Sequence, residues 1–179
     1  TIILLIIVFF GCDWFDKKPI WFKGNLHTHT LWSDGDAPPE TVVHWYRQNG
    51  YKFLALSDHN ILSEGEKWID VLDSADTEMW PPPFTMEKLE ELKKEFGASW
   101  PELRQKGDTL QMRLKTLKEL KDKFEISGEF ILIQAEEITD AFENYPVHLN
   151  ATNLESFIPP QGGIKRSGRR GRRGILINS

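Results

Sequence analysis

The residues able to do chemistry are histidines and carboxylates: His27-Thr28-His29 followed by Ser33-Asp34-Gly35, then Asp58-His59-Asn60, Glu136-Glu137 and His148. Neutral imidazole nitrogens and hard carboxylate oxygens together are ligands for divalent cations. In an H-x-H on an extended strand both rings project to the same side, because side chains repeat with period two. His27 and His29 can therefore grip one cation. Asp34, on a glycine-containing turn, offers a further oxygen, and Asp58 beside His59 could orient that ring from behind the ligands. A glutamate between two cations can bridge them at the roughly 3.5–4 Å that two-metal hydrolysis uses. The single cysteine excludes an internal disulfide and a multi-cysteine zinc site, so any metal here rests on His and carboxylates. A lone H-x-H is a weak signal; the whole group points to a metal site. The fifth histidine, His44, lies between Val43 and Trp45 and reads as a packing residue.

These residues must be positioned by an α/β framework. Short apolar runs alternate with helical patterns, the signature of βα units. Strands are expected over residues 21–27, 51–57, 130–134 and 147–151. A helix opened by Pro38-Pro39-Glu40 is closed by Gly50. Most of the candidate ligands fall at strand ends, and in a parallel barrel the C-terminal strand ends converge on one rim. Between the second and third strands, a helix near 64–73 is followed by a helical insertion over about 75–128. Ser99-Trp100-Pro101-Glu102 has capping-box spacing there, and Leu110, Leu114, Leu117 and Phe124 recur at helical intervals. The insertion reads as a charge-laced lid or hairpin packed by one apolar stripe.

The two ends differ from this body. Residues 2–10 are an unbroken apolar run, too short for a spanning helix, followed at once by Gly11-Cys12. That pattern resembles a lipobox, in which Cys12 is lipidated, so residues 1–12 are expected to be a signal segment, with the tail of an N-terminal membrane helix and a buried strand as the alternatives, and with a linker over 13–20. The expected location is the cell envelope, anchored by lipid. From residue 164 the composition turns to Lys165-Arg166 and the arginines 169, 170, 172 and 173, a basic tail that cannot bury a core. With those six set aside, the remaining 16 basic residues stand against 27 acids, a charge of −11 for residues 1–164. A body so acidic repels phosphate unless bound cations invert the local field, and it argues against nucleic acid as a partner.

Gly24-Asn25-Leu26-His27-Thr28-His29-Thr30, Ser33-Asp34-Gly35, Leu54-Ala55-Leu56-Ser57-Asp58-His59-Asn60, Ala135-Glu136-Glu137-Ile138-Thr139 and His148-Leu149-Asn150-Ala151 resemble, in order, the first motifs of the polymerase and histidinol phosphatase (PHP) family. The resemblance spans residues 23–163. It implies part of a distorted (β/α)7 barrel holding two or three divalent ions (zinc, manganese or iron, with magnesium also compatible) and hydrolysing phosphoesters with a metal-activated hydroxide. His27 and His29 then resemble ligands of the first metal, Asp34 and His59 of the second, Glu137 the bridging carboxylate and His148 a third-site ligand. Glu136 is the alternative to Glu137. The substrate would be a small phosphoester or a nucleotide. The family carries a further His and an Asp-x-His that are not matched before residue 163, so the chain is expected to be a fragment. Two rival readings are a metal-dependent hydrolase of the amidohydrolase type and a non-catalytic, metal-binding surface lipoprotein.

Overall fold

A computed structural model describes residues 18–74, 81–143 and 145–160. Cys12, the apolar run before it and the basic tail lie outside the described residues. The ten elements are β1 (Gly24–Asn25), α1 (Pro39–Gln48), β2 (Phe53–Leu56), β3 (Trp68–Val71), α2 (Met86–Phe96), β4 (Glu102–Lys106), β5 (Thr109–Arg113), α3 (Leu117–Phe124), β6 (Ile131–Phe142) and β7 (Tyr145–Thr152). The architecture is mixed α/β, with three helices among the described residues and one curled sheet of order β1-β2-β6-β7.

Strands β1, β2 and the first part of β6 are parallel, with Leu54 beside Leu132 and Leu56 beside Gln134. Their C-terminal ends therefore point to one side of the sheet. Strand β6 is longer than residues 130–134, because beyond Gln134 it leaves β2 and pairs with β7 as far as Phe142. That second pairing is antiparallel and places Thr139 opposite His148 and Glu137 opposite Asn150. This corrects the expectation of an all-parallel arrangement: His148 arrives on a returning hairpin strand rather than at a parallel strand end. Alternation along β7 sends His148 and Asn150 to one face, and the exposed Tyr145, Val147 and Leu149 to the other. The Asn150 amide donates to the Leu26 carbonyl at 2.9 Å, which ties β7 to the end of β1.

Two apolar clusters hold this framework. Val43, Leu54, Leu56, Leu117, Leu120, Phe124, Phe130 and Leu132 fill the space between β2, β6 and helices α1 and α3. Leu31, Trp32, Val71, Phe84, Leu89, Leu92, Met112 and Leu114 form a second core under α2. Helix α1 begins at the Pro38–Pro39 pair and stops at Asn49, where Gly50 takes φ +76°. In α3 the Thr116 hydroxyl accepts from Glu119 N, while the Glu119 carboxylate accepts from Thr116 N, a reciprocal cap.

The helices expected between the second and third strands are corrected in three places. Residues 68–71 are strand β3, not part of a helix over 64–73. The Ser99–Glu102 spacing caps no helix, since Glu102 begins strand β4. Leu110 lies in β5, so it shares no helix with Leu117 and Phe124. The region combines α2 and α3 with a small antiparallel sheet of order β3-β5-β4. The signal for that sheet was Gly107-Asp108, a two-residue hairpin loop with Gly107 at φ +59° joining β4 to β5. Strands β4 and β5 are rich in Lys, Arg, Glu and Gln, which hid them behind a helical composition.

Candidate metal centre

The six candidate ligands are delivered by five stretches of backbone. His27 and His29 follow β1; Asp34 sits on the turn after them; His59 follows β2; Glu137 lies midway along β6; His148 comes from β7. The turn carrying Asp34 is closed by Ser33 N and Gly35 N, which both donate to the Thr30 carbonyl at 3.0 and 2.9 Å. Gly35 is required there: a Cβ would lie 2.6 Å from Thr30 N and Cα.

The Glu137 carboxylate is the centre of the arrangement and is only 5% exposed. Its Oε2 lies 3.0 Å from His27 Nε2, 2.7 Å from His29 Nε2 and 3.3 Å from His59 Nδ1. Its Oε1 lies 3.3 Å from His148 Nδ1. Asp34 closes the other side, with Oδ1 2.9 Å from His29 Nδ1 and Oδ2 3.4 Å from His59 Nε2. Three overlapping clusters result: His27, His29 and Glu137; His29, Asp34 and His59; His59, Glu137 and His148. Within each, the donor atoms lie within 4.8 Å of one another.

The donor set fits divalent cations. Metal–ligand bonds of about 2.0–2.2 Å place neighbouring ligand atoms roughly 3.3–3.6 Å apart around a tetrahedral ion. The observed separations of 2.7–3.4 Å approach that spacing. Burial pushes the Glu137 carboxyl up, but the His27 hydrogen bond and the surrounding imidazoles outweigh it and hold it below its ordinary value. Burial also lowers His59, against the pull of Asp34 and Glu137. The lowering of His59 favours its neutral ring, the form that binds metal.

Alternation along β6 separates the two adjacent glutamates. Glu137 faces the imidazoles, whereas Glu136 is buried elsewhere, its Oε2 accepting from Ile158 N at 3.0 Å and its Oε1 without a hydrogen bond. Burial raises the Glu136 pKa accordingly. Asp58 does not meet an imidazole by hydrogen bond. Fully buried, it accepts from Thr30 N (2.7 Å), Thr30 Oγ1 (2.9 Å) and Ser33 Oγ (2.7 Å), so it orients the Asp34 turn rather than the His59 ring. Burial raises its pKa against those three bonds, and Lys67 stands as the nearby cation, donating to the Trp32 carbonyl. His44 is remote from this group; its ring lies edge-on to Phe96 and its Nε2 is 3.3 Å from Glu95.

Sequence reading missed two supports. Thr139 Oγ1 sits 2.5 Å from His59 Nδ1 and 3.1 Å from His148 Nδ1, linking two rings. Asn60, at φ +50°, accepts from Thr139 N and donates to Thr139 O, pinning β6 beside the end of β2. The available signal was the polar run Ser57-Asp58-His59-Asn60 directly after the apolar β2, with Thr139 two residues beyond Glu137. Beside the histidine–carboxylate cluster opens a cavity of about 440 Å³ lined by His27, Thr28, His29, Asp34, Gly35, Asp36 and Tyr46.

Comparison of the chain with models of known protein families, with curated proteins and with solved structures finds no match.

Proposed function

We propose that this chain is a metal-dependent phosphoesterase whose described part forms one side of a PHP-type barrel. The observation that carries this reading is the Glu137 carboxylate, whose two oxygens face different imidazoles: Oε2 meets His27, His29 and His59 while Oε1 meets His148. A carboxylate so placed suits the bridge between two cations, with Asp34 and His59 completing a neighbouring site. Zinc, manganese or iron would be held by these groups. When bound, such ions neutralise phosphoryl oxygens and make water acidic enough to supply a nucleophile near neutral pH.

The chain's own residues do the rest. Glu137 and Asp34 set the spacing of the ligand shell, Asp58 fixes the turn that presents Asp34, and Thr139 holds the rings of His59 and His148. No lysine or arginine lines the cavity among the described residues, so an anionic substrate depends on the cations for its charge balance. The same lack of a lysine is evidence against a carbamylated-lysine centre of the amidohydrolase type. Lipid anchoring through Cys12 at the cell envelope remains part of the proposal.

The test is hydrolysis of an aryl phosphomonoester by the chain equilibrated with manganese or zinc. Release of phosphate that His29→Ala abolishes supports the reading. Full activity in that variant, or metal binding with hydrolysis of an amide and of no phosphoester, rejects it.

A further inference from the structure

Asn25, on β1, holds its amide in one orientation. Its Oδ1 accepts from His27 N at 3.2 Å, which directs Nδ2 towards two hydroxyls, Thr28 Oγ1 and Tyr46 Oη, each at 2.7 Å. The same Nδ2 also approaches the His27 carbonyl at 3.0 Å. An amide NH2 can only donate, and its two protons face three acceptors, so neither hydroxyl can donate to it and both hydroxyl protons must point elsewhere. Among the described residues no acceptor is recorded for either proton. Thr28 and Tyr46 are both among the residues that line the cavity beside the histidine–carboxylate cluster. The remaining acidic side chains of that lining, Asp34 and Asp36, are acceptors when ionised and repel an anion.

We propose that Tyr46 Oη and Thr28 Oγ1, set by Asn25, form an anion-oxygen subsite that donates two hydrogen bonds to a phosphoryl group at the metal cluster. The inference rests on reading this cavity as a phosphoester site. It adds the groups that would take the oxygens lying away from the cations. Neutral donors suit that task here, because a lysine or arginine in the same place would compete with the cations for Glu137 and Asp34. Tyr46 is held for the role by edge-on contacts with Trp45 and Tyr51, with ring centroids 5.1 and 4.7 Å away. Tyr46 is carried by helix α1, whereas Thr28 follows strand β1, and Asn25 ties the two hydroxyls together.

The experiment uses the full chain equilibrated with manganese, with bound metal measured by elemental analysis and inorganic phosphate titrated by calorimetry. Tyr46→Phe and Thr28→Val should each weaken phosphate binding on the order of tenfold, the worth of one hydrogen bond to a charged group, with metal content unchanged. Thr28→Ser keeps the hydroxyl and should bind phosphate like the wild type. Equal phosphate affinity in wild type, Tyr46→Phe and Thr28→Val overturns this inference and leaves the phosphoesterase reading standing. Metal-loaded wild type that binds no phosphate also overturns it. A wild type that takes up no metal defeats the phosphoesterase reading and this subsite with it.

Discussion

Replacing Asp58 by alanine removes the acceptor of three hydrogen bonds at a fully buried position. The Thr30 backbone N–H would be left unpaired inside the fold, at a cost of about 1–3 kcal/mol. The Thr30 and Ser33 hydroxyls can rotate towards other partners and lose less, while removal of a desolvated carboxylate returns part of the cost. The net loss of stability is therefore about 2–3 kcal/mol. Asp58→Asn keeps an acceptor for Thr30 N and Ser33 and should lose only about 1 kcal/mol. Urea unfolding followed by tryptophan fluorescence measures both, since Trp32 is buried 2 residues from Thr30. The same variants report on the site. With the Asp34 turn released, cation affinity should fall about 10–100-fold for alanine, as for other residues that orient ligands, and less for asparagine. An alanine variant within about 0.5 kcal/mol of wild type would refute the stability reasoning. A destabilised variant with unchanged cation affinity would refute the claim that Asp58 positions the ligands.

Gly35→Ala drives a methyl into the Thr30 backbone, so the turn must shift; cation affinity measured by calorimetry should drop at least about tenfold, and unchanged affinity would contradict the tight turn. Glu40 is buried, with Oε1 accepting from Trp100 Nε1 at 3.0 Å and Oε2 unpartnered, and burial raises its pKa above 4.5. Because the folded value is the higher one, Glu40 destabilises the fold increasingly as pH rises past the unfolded value. Glu40→Gln should therefore stabilise the chain by about 0.5–2 kcal/mol at pH 7 and by much less near pH 4 in urea titrations; parallel pH profiles would contradict this. For Glu119 the sign is opposite: partial burial pushes its carboxyl up, but Arg113 and Thr116 hold it at about 2, so its contribution is full above the unfolded value and is lost as pH falls towards about 2. Glu119→Gln should remove about 0.5–2 kcal/mol at pH 7 and flatten the acid limb of the stability profile; an unaltered limb would show that the cap contributes nothing.

The parallel core was legible because it follows from short-range rules, and the gathering of the candidate ligands because parallel strands bring their C-terminal ends to one side. The apolar run at 53–56 and the Pro38-to-Gly50 frame define β2 and α1 unambiguously, and period two puts His27 and His29 on one side. What was hidden depends on pairing between distant segments. Nothing local to residues 135–142 says that β6 continues into a hairpin with β7, so the antiparallel approach of His148 could not be read from strand order. The role of Asp58 was hidden for a related reason: its sequence neighbour is His59, but its hydrogen-bond partners lie 25 and 28 residues away. The β4–β5 hairpin was readable from Gly107-Asp108, and the charged strands around it obscured it.

Anomalous X-ray diffraction from crystals of the zinc-equilibrated chain tests the central claim most directly. The account predicts at least two peaks at the zinc edge flanking the Glu137 carboxylate, one shared with His27 and His29 and another with Asp34 and His59. Peaks only at unrelated surface sites, or no peak beside Glu137, would contradict it.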